Sequence, residues 1–591
     1  MKNQTTKAPD VLAFAAEQLD SYWCRICGDG SHAQVTLRVD PAACPSVEDP
    51  ALDDAYAVEI QQGIGFITGS NPRSVLLGVY AFLQAVGCRF IRPGPDGEIL
   101  PQLAAGQMTA HFARRADYRY RGFSIEGAVS RENVYAMIDW APKLGYNLYF
   151  IQFREAHVFF EEWYTHVYNE FLPAAPYTVE ESRAIVEELG QEIRRRGMQY
   201  HAMGHGWICE SIGYHSTGWH AADNSAIPDD VRPLLAEVDG KREFFGGIPV
   251  NTNLCYSNPE VQRRLVEEIV GYAAEHPEKE ILHIWLADNF NNTCECEECQ
   301  KWGMPGEVMM EFVNRVARLT AAKYPDKTLY FFVYFPTFDP PNRFIQAEPN
   351  VQLMFCKESC MYHPVDKGPD CGYHEDYEFE FRYTQYPRPW RQTMEKWLEM
   401  TGLSSFCIWE WYCPAACVTS WEHLPWVQGD VATRNQRFWH DKGATFVFYD
   451  QGPNDYYHDT EKSYPLRWPL WYVVSKGMWD KDLTGTDILT DACKKLFEQA
   501  ADVMLSYYLA LADISRDCHA KNIAWQSAEP YEFYTPAAIE RVDRILARAA
   551  QLLDEVSGPV RARMENQMAL WEACKRQVEA SYSGSAYQPI Y

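Results

Sequence analysis

The chain has 591 residues, more than one ordinary hydrophobic core accommodates, so about two to four domains are expected. Its formal net charge of -27, from 54 basic and 81 acidic side chains, disfavours nucleic acid and anionic membranes as partners. The sequence shows no signal-peptide core and no stretch apolar enough to span a bilayer, so we expect a cytoplasmic protein. In that compartment the 18 cysteines should be mostly reduced thiols, some of them available to bind metal.

Residues 1–115 are predicted to form a small α/β domain. The run 63–70 is typical of a strand that ends in a turn. Asn71 and Pro72 then supply an N-cap and a first-turn proline for a helix, and Gly87 is placed to end it.

Residues 116–455 alternate between apolar, strand-like runs and helical patterns. The eight runs are 120–127, 146–153, 198–206, 281–288, 328–335, 351–358, 404–412 and 444–452. Most are continuously apolar, as expected of parallel strands with both faces covered. Thr178 with Glu181, and Asn258 with Pro259, are helix-start signals between them. A count of eight favours a (β/α)8 TIM barrel over an open doubly wound sheet, and no glycine-rich nucleotide-binding motif follows any run.

Residues 456–591 are predicted to be a C-terminal helical region. Thr535 and Pro536 begin a helix whose apolar residues fall on one face. The simplest interpretation is a helical domain packed on the barrel.

Active residues of a TIM barrel lie at the carboxyl ends of its strands, so those ends give the candidate site. The catalytic candidates, in order of preference, are Asp288, Glu410, Asp450 and Glu126. The candidate substrate-binding residues are Asn289, Arg154, His157, His205, Trp207, Tyr334, Lys357, Glu358, Trp409 and Trp411. Carboxylates amid aromatic side chains suit glycoside cleavage, in which one acid protonates the leaving oxygen and a second group activates water or attacks the sugar. For each carboxylate taken alone, a salt bridge or a helix cap is the alternative.

Asp288 is the preferred acid because it ends the apolar run ILHIWLA. We expect it to project into the barrel mouth, where burial among aromatic rings would raise its pKa and keep it protonated. The alternative is a cap for the short helix that follows. Glu410 is the second choice because it lies between Trp409 and Trp411.

Three cysteines, Cys294, Cys296 and Cys299, form a C-x-C-x-x-C motif directly after Asp288. Three thiols at this spacing suit a structural zinc site, which would hold the loop behind the acid. The fourth ligand is predicted to be Cys360, with His363 and Cys356 as alternatives. Free thiols, or a disulfide in an exported protein, are the other interpretations. The glycosidase chemistry itself requires no cofactor, since the acids supply it.

Several segments resemble known glycosidases. Residues 121–153 resemble the first βαβ unit of O-GlcNAcase-type and β-hexosaminidase-type barrels, and residues 65–101 resemble the non-catalytic α/β domain that precedes the barrel in β-hexosaminidases and α-glucuronidases. Together with residues 253–261, the cysteine motif and residues 360–364, the chain resembles an uncharacterised bacterial group with such an N-terminal domain and a C-x-C-x-x-C barrel. The resemblance implies a glycosidase of amino sugars or uronides.

The chain departs from the hexosaminidase pattern at the predicted acid. The hexosaminidase pattern has an acidic pair after the fourth strand, whereas this chain has Asp288 and Asn289. Asparagine cannot donate a catalytic proton, so either Asp288 is the acid or it orients an acetamido group and another residue is the acid. The α-glucuronidase pattern is compatible with Asp288, Glu358 or Glu410, and Asp450, and in that case Arg154 or Lys357 would pair with a uronate.

The sequence therefore predicts a glycoside hydrolase acting on an oligosaccharide or glycoconjugate. Two alternatives stay open: a non-catalytic carbohydrate-binding barrel protein, which Asn289 suggests, and a metal-dependent hydrolase or lyase. The expected partner is a carbohydrate, with no nucleic acid and no membrane, and the sequence allows a homo-oligomer.

Overall fold

The structure is a computed structural model that describes most of the chain. It describes residues 10–28, 30–124, 130–165, 173–215, 218–334, 337–357, 364–367, 382, 390–411, 424–425, 427, 429–450, 464–517, 522–523, 526–527 and 530–583. Among these residues, no helix combines the length and the apolar character that crossing a membrane requires.

The N-terminal region is a four-stranded sheet covered by helices. Its elements are α1 (Val11–Cys27), β1 (Gln34–Val39), β2 (Ala55–Gln61), β3 (Ile64–Gly69), α2 (Pro72–Ala85), β4 (Arg89–Phe90), β5 (Glu98–Ile99) and β6 (Ala110–Arg115). The sheet order is β1-β3-β2-β6, and β4 pairs separately with β5. The Asn71 side chain caps α2 by accepting a hydrogen bond from the Ser74 N–H, and Gly87 follows the helix at φ 115°. The start and end signals of this helix are thus confirmed.

Eight parallel strands form the central barrel, which confirms the predicted fold class. The strands are β7 (Tyr120–Ser124), β8 (Leu148–Gln152), β9 (Gln199–Gly204), β10 (Ile281–Ile284), β11 (Thr328–Val333), β12 (Val351–Lys357), β13 (Phe406–Trp411) and β14 (Ala444–Asp450). The helices among them are α3 (Arg131–Lys143), α4 (Glu161–Thr165), α5 (Val179–Arg195), α6 (Trp207–Ser211), α7 (Pro259–Glu275), α8 (Glu297–Gln300), α9 (Pro305–Ala321), α10 (Trp390–Thr401) and α11 (Gly429–Asp441). The hydrogen-bonded order is β7-β14-β13-β12-β11-β10-β9-β8.

The seam between β7 and β8 closes the barrel without a strand ladder between these two described strands. At its base, the Asn147 N–H donates to the Arg121 carbonyl at 2.9 Å, and the Arg121 N–H donates to Asn147 Oδ1 at 2.8 Å. Gly122 is required here because a Cβ at that position would lie 2.1 Å from Leu148 Cδ1. The strands therefore approach closely and are held at one end by one main-chain hydrogen bond and one hydrogen bond to the Asn147 side chain.

Aromatic side chains fill the barrel interior, and they identify which residues of each strand point inward. The interior rings in contact with one another are those of Tyr120, Phe150, His201, His283, Trp285, Tyr330, Phe332, Trp409 and Phe446. Because successive residues of a strand face opposite sides, the neighbours of these residues point towards the surrounding helices.

The C-terminal region is helical, as predicted. Its elements are α12 (Tyr464–Trp479), α13 (Gly485–Phe497), α14 (Ala501–Asp517), β15 (Asn522–Ile523), β16 (Gln526–Ser527), α15 (Pro530–Phe533), α16 (Pro536–Ala550) and α17 (Gly558–Ser583). Thr535 caps α16, and the buried residues of this helix are Val542, Leu546 and Ala549.

A buried ion network joins the N-terminal sheet to the barrel seam. Asp54 accepts hydrogen bonds from Arg121 at 2.5 Å, from Arg73 at 2.9 Å and from Asn147 at 3.0 Å. Burial alone would raise the pKa of Asp54, but the charges of Arg73 and Arg121 hold it well below its ordinary value.

Candidate active site

Three strained residues lie at the carboxyl ends of neighbouring barrel strands. Phe153 after β8, Met203 in β9 and Asn289 after β10 have φ angles of 73°, 85° and 79°. Non-glycine residues rarely adopt this region, which costs roughly 1–3 kcal/mol each, and such residues cluster at functional sites. The strain marks this rim of the barrel as the candidate site.

Asp288 lies at this rim, beyond the end of β10, with its carboxylate held in one orientation. Its Oδ2 accepts a hydrogen bond from the Trp219 indole N–H at 2.8 Å, and its Oδ1 accepts one from the Asn289 N–H at 2.8 Å. Its main chain is fixed as well, because its N–H donates to the Val250 carbonyl at 3.1 Å. Asp288 is half-buried at this rim.

Aromatic rings surround this carboxylate. Trp219 is 42% exposed and lies 5.5 Å from Phe153 and 5.9 Å from His205, between ring centroids. Trp285 lies 5.3 Å from His205 on the inner side. The arrangement gives an open aromatic surface beside a carboxylate, which suits a ring-shaped ligand with both apolar and hydroxyl faces.

His205 contributes a neutral imidazole to the same rim. Its Nδ1 lies 3.1 Å from the Leu286 carbonyl oxygen, which only accepts, so Nδ1 carries the proton and Nε2 is an acceptor in the neutral ring. Burial lowers the pKa of His205, against the opposing effect of the Asp288 charge. The ring therefore stays uncharged beside the carboxylate near neutral pH.

Glu410 lies on the opposite face of its strand. The Trp409 ring packs inside the barrel, 4.8 Å from Trp285, so strand alternation turns Glu410 outward. There Glu410 is fully buried, and its Oε1 accepts a hydrogen bond from the Trp439 indole N–H of α11. The prediction that Glu410 projects into the mouth is wrong, because the W-E-W pattern brings its tryptophan at 409 inward rather than its acid.

Three predicted substrate-binding residues also face away from the mouth. Arg154 forms a 2.8 Å ion pair with Glu268 of α7. The Trp207 indole N–H donates to the His283 carbonyl at 2.9 Å within the core. Lys357 is fully buried and is the register partner of the outward-facing Glu410. The structure thus places these three side chains away from the rim.

Three further residues predicted to bind substrate, Tyr334, Trp409 and His157, lie in the barrel interior or in the connection after β8. Tyr334 stacks on Phe332 with 5.2 Å between ring centroids, and Trp409 lies 5.9 Å from Phe332, so both belong to the aromatic floor beneath the rim. His157 lies in the loop after β8, where its ring bonds to the Tyr164 hydroxyl at 2.9 Å and the Tyr177 carbonyl at 3.1 Å. Both contacts are made within the connection between β8 and α5.

Several predictions fall outside the described residues. Glu126, Glu358 and Cys360 lie there entirely, as do the side chains of Asp450 and Trp411. The main chain of Asp450 ends β14, in register with Ser124 and Trp411.

The structure adds two residues that the sequence analysis missed. Trp219 lies in the long excursion between α6 and α7, where no periodic pattern marks it. Cys255 lies just before α7, and its Sγ is 3.6 Å from Cys296 Sγ and 3.8 Å from Cys299 Sγ. A cysteine next to the helix-start signal Asn258–Pro259 was the available clue.

Comparison with known proteins places the chain by fold. A family described as a domain of unknown function, DUF4838, matches residues 225–509, and no curated protein matches. The structure is similar to a family 89 glycoside hydrolase from Clostridium perfringens in complex with PUGNAc, at 10% identity and a TM-score of 0.56, covering 97% of this chain and 63% of that one.

Two further solved structures are equally similar. A variant of the Clostridium perfringens family 89 enzyme, in complex with its substrate GlcNAc-alpha-1,4-galactose, gives a TM-score of 0.57 at 11% identity, with 97% of this chain and 63% of that chain covered. A family 138 enzyme targeting pectin rhamnogalacturonan II gives 0.55 at 10% identity, with 98% and 68% covered. The chain thus spans less than two thirds of the family 89 chain, and it has the fold shared by these family 89 and family 138 glycoside hydrolases.

Proposed function

We propose that the protein is a glycoside hydrolase whose reaction takes place at the strained rim of the barrel, on the Asp288 carboxylate. The observation that carries the proposal is the setting of Asp288: a half-buried carboxylate with both oxygens held by N–H donors, beside the exposed face of Trp219. Glycoside cleavage needs an oriented carboxylate next to a surface that binds a sugar ring. The fold shared with glycoside hydrolases supports the same reaction class.

Most glycoside hydrolases use a second carboxylate, and we assign this role to Asp450. Asn289 cannot serve, since an amide transfers no proton, and its Oδ1 already accepts the Phe290 N–H. Glu410 faces the helices. The main chain of Asp450 ends β14 at the carboxyl end of the barrel, where the active residues of this fold lie.

The proposed substrate is a glycoside of an N-acetylated amino sugar rather than a uronide. A uronate needs a cation in the site, but Arg154 and Lys357, the two predicted cations, face away from the rim. The family 89 structure with an N-acetylglucosamine-containing substrate supports this choice.

Kinetic measurement on Asp288→Asn tests the proposal. With aryl α- and β-N-acetylglucosaminides and aryl uronides as substrates, we expect wild-type turnover of an N-acetylglucosaminide. We expect kcat of the variant to fall by about 100-fold or more, because it lacks the reacting carboxylate. Its free energy of unfolding should equal that of the wild type. The matched control is Glu298→Gln, an exposed acid of α8 paired with Lys301, and it should retain full activity.

Two outcomes would contradict the proposed function. Wild-type activity in Asp288→Asn would remove Asp288 from the reaction. Binding of N-acetylglucosamine by calorimetry, with no turnover of any substrate in the panel, would identify a carbohydrate-binding protein instead.

A further inference from the structure

Four cysteine side chains meet beside the loop that carries Asp288. Cys255 precedes α7, whereas Cys294, Cys296 and Cys299 follow β10, and all four sulfurs lie within 4.8 Å of one another. We propose that these four cysteines bind one zinc ion in a structural tetrathiolate site, which fastens the loop after β10 to the segment before α7. The proposal does not depend on the proposed glycosidase activity.

The distances between sulfurs fit a tetrahedral metal site. A zinc–sulfur bond of about 2.3 Å sets the edge of the tetrahedron at about 3.8 Å. The Cys255 Sγ lies 3.6 Å from the Sγ of Cys296 and 3.8 Å from that of Cys299. A disulfide would need about 2.0 Å between two sulfurs and would leave the other two thiols without a role.

The surroundings of the sulfurs stabilise negative charge. The Glu237 N–H donates to Cys294 Sγ at 3.3 Å, and the Cys299 N–H donates to Cys296 Sγ at 3.5 Å. The Arg242 guanidinium interacts with the sulfurs as well. Four thiolates and one Zn²⁺ carry a net charge of about −2, which these N–H donors and the cation offset.

The position of the cluster explains what a metal would contribute. The buried members of this cluster are Ala236 and three of the cysteines, and they form an apolar group separate from the main core. Such a small group buries little area, and regions of this kind commonly rely on a metal or a disulfide. Main-chain hydrogen bonds already join the same two segments, including Glu295 N–H to the Glu237 carbonyl at 2.7 Å. A zinc ion would make that junction rigid just behind the Asp288 loop.

Metal analysis of the full chain tests the site. The protein is purified from zinc-supplemented cells without chelators or metal-affinity resin, and its zinc is measured by mass spectrometry. We expect about one zinc per chain in the wild type. In Cys255→Ser the zinc content per chain should be lower by about tenfold or more. Cys209→Ala removes a buried cysteine of α6 outside the cluster and should keep its zinc.

If Cys255→Ser fails to fold, a second measurement, made on the wild type, still tests the site. Replacing the bound zinc with Co²⁺ should give intense thiolate-to-cobalt charge-transfer bands together with the visible bands of a tetrahedral ion. Metal-free wild type, iron in place of zinc, a disulfide within the cluster found by peptide mapping, or zinc retained in folded Cys255→Ser would each overturn the proposal.

Discussion

Asp54→Asn tests how the barrel seam is held to the N-terminal sheet. In the wild type, the Asp54 carboxylate lies between the guanidinium groups of Arg121, which is fully buried, and Arg73, which is 9% exposed. The amide of the variant keeps the size of the side chain but removes the charge and turns a donor towards the two cations. Two buried cations then lack a counter-charge.

The expected cost follows from these contacts. Removing one partner of a buried ion pair typically costs about 3–5 kcal/mol, and each hydrogen bond to a charged group contributes about 1.5–3 kcal/mol. We therefore expect Asp54→Asn to lower the free energy of unfolding by about 3–5 kcal/mol. Faster hydrogen exchange at the β7–β8 seam should accompany the loss, because Asp54 also holds Asn147.

Denaturant unfolding followed by tryptophan fluorescence measures this cost, with Asp53→Asn as the matched control. Asp53 pairs with Arg119 at 2.6 Å, but the two side chains are 15% and 25% exposed, so we expect a loss of about 1 kcal/mol or less. Since the pKa of Asp54 is held low, the difference between wild type and Asp54→Asn should be constant above about pH 5 and shrink as the pH falls below about 4. Equal losses in the two variants would refute the reasoning.

Two further predictions concern the barrel. Glu410→Gln should keep kcat within about twofold of the wild type, because Glu410 faces α11 rather than the rim, and a loss as large as that of Asp288→Asn would show that it takes part in the reaction. His201 and His283 are buried inside the barrel, where burial lowers the pKa of His201 to about 3 and that of His283 well below its ordinary value. The unfolded chain therefore takes up protons below about pH 6.5 that the folded chain does not, and each histidine should remove about 2 kcal/mol of stability between pH 7 and pH 5. In denaturant titrations at the two pH values, His201→Gln should lose about 2 kcal/mol less than the wild type over this interval, and equal losses would contradict the assignment.

The sequence by itself determined the architecture, because architecture depends on local, periodic patterns. Eight apolar runs separated by helical segments predicted the parallel barrel, and caps such as Asn71 and Thr535 marked real helix starts. The strand-end rule also directed attention to the rim where the strained residues lie. These features follow from residues close together in the chain, so a single sequence contains them.

Only the tertiary structure decided which side chains share the rim. The W-E-W pattern of β13 is compatible with either face, and the packing of the Trp409 ring into the barrel settles it against Glu410. The left-handed backbone of Phe153 shifts the alternation after β8, so Arg154 points to α7. No periodic pattern in the local sequence predicts the direction of either side chain, because each direction depends on contacts with other strands and helices.

Long-range partners are the other part that the sequence left open. Trp219 reaches Asp288 across 69 positions of the chain, and Cys255 reaches Cys296 across 41. The excursion that carries Trp219 and Cys255 has short turns and little regular structure, so its path is set by packing on the barrel and by hydrogen bonds to the loop after β10. Residue type alone identified Asp288 as a candidate acid and the three clustered cysteines as candidate metal ligands. Their partners Trp219 and Cys255 became visible only in the folded chain.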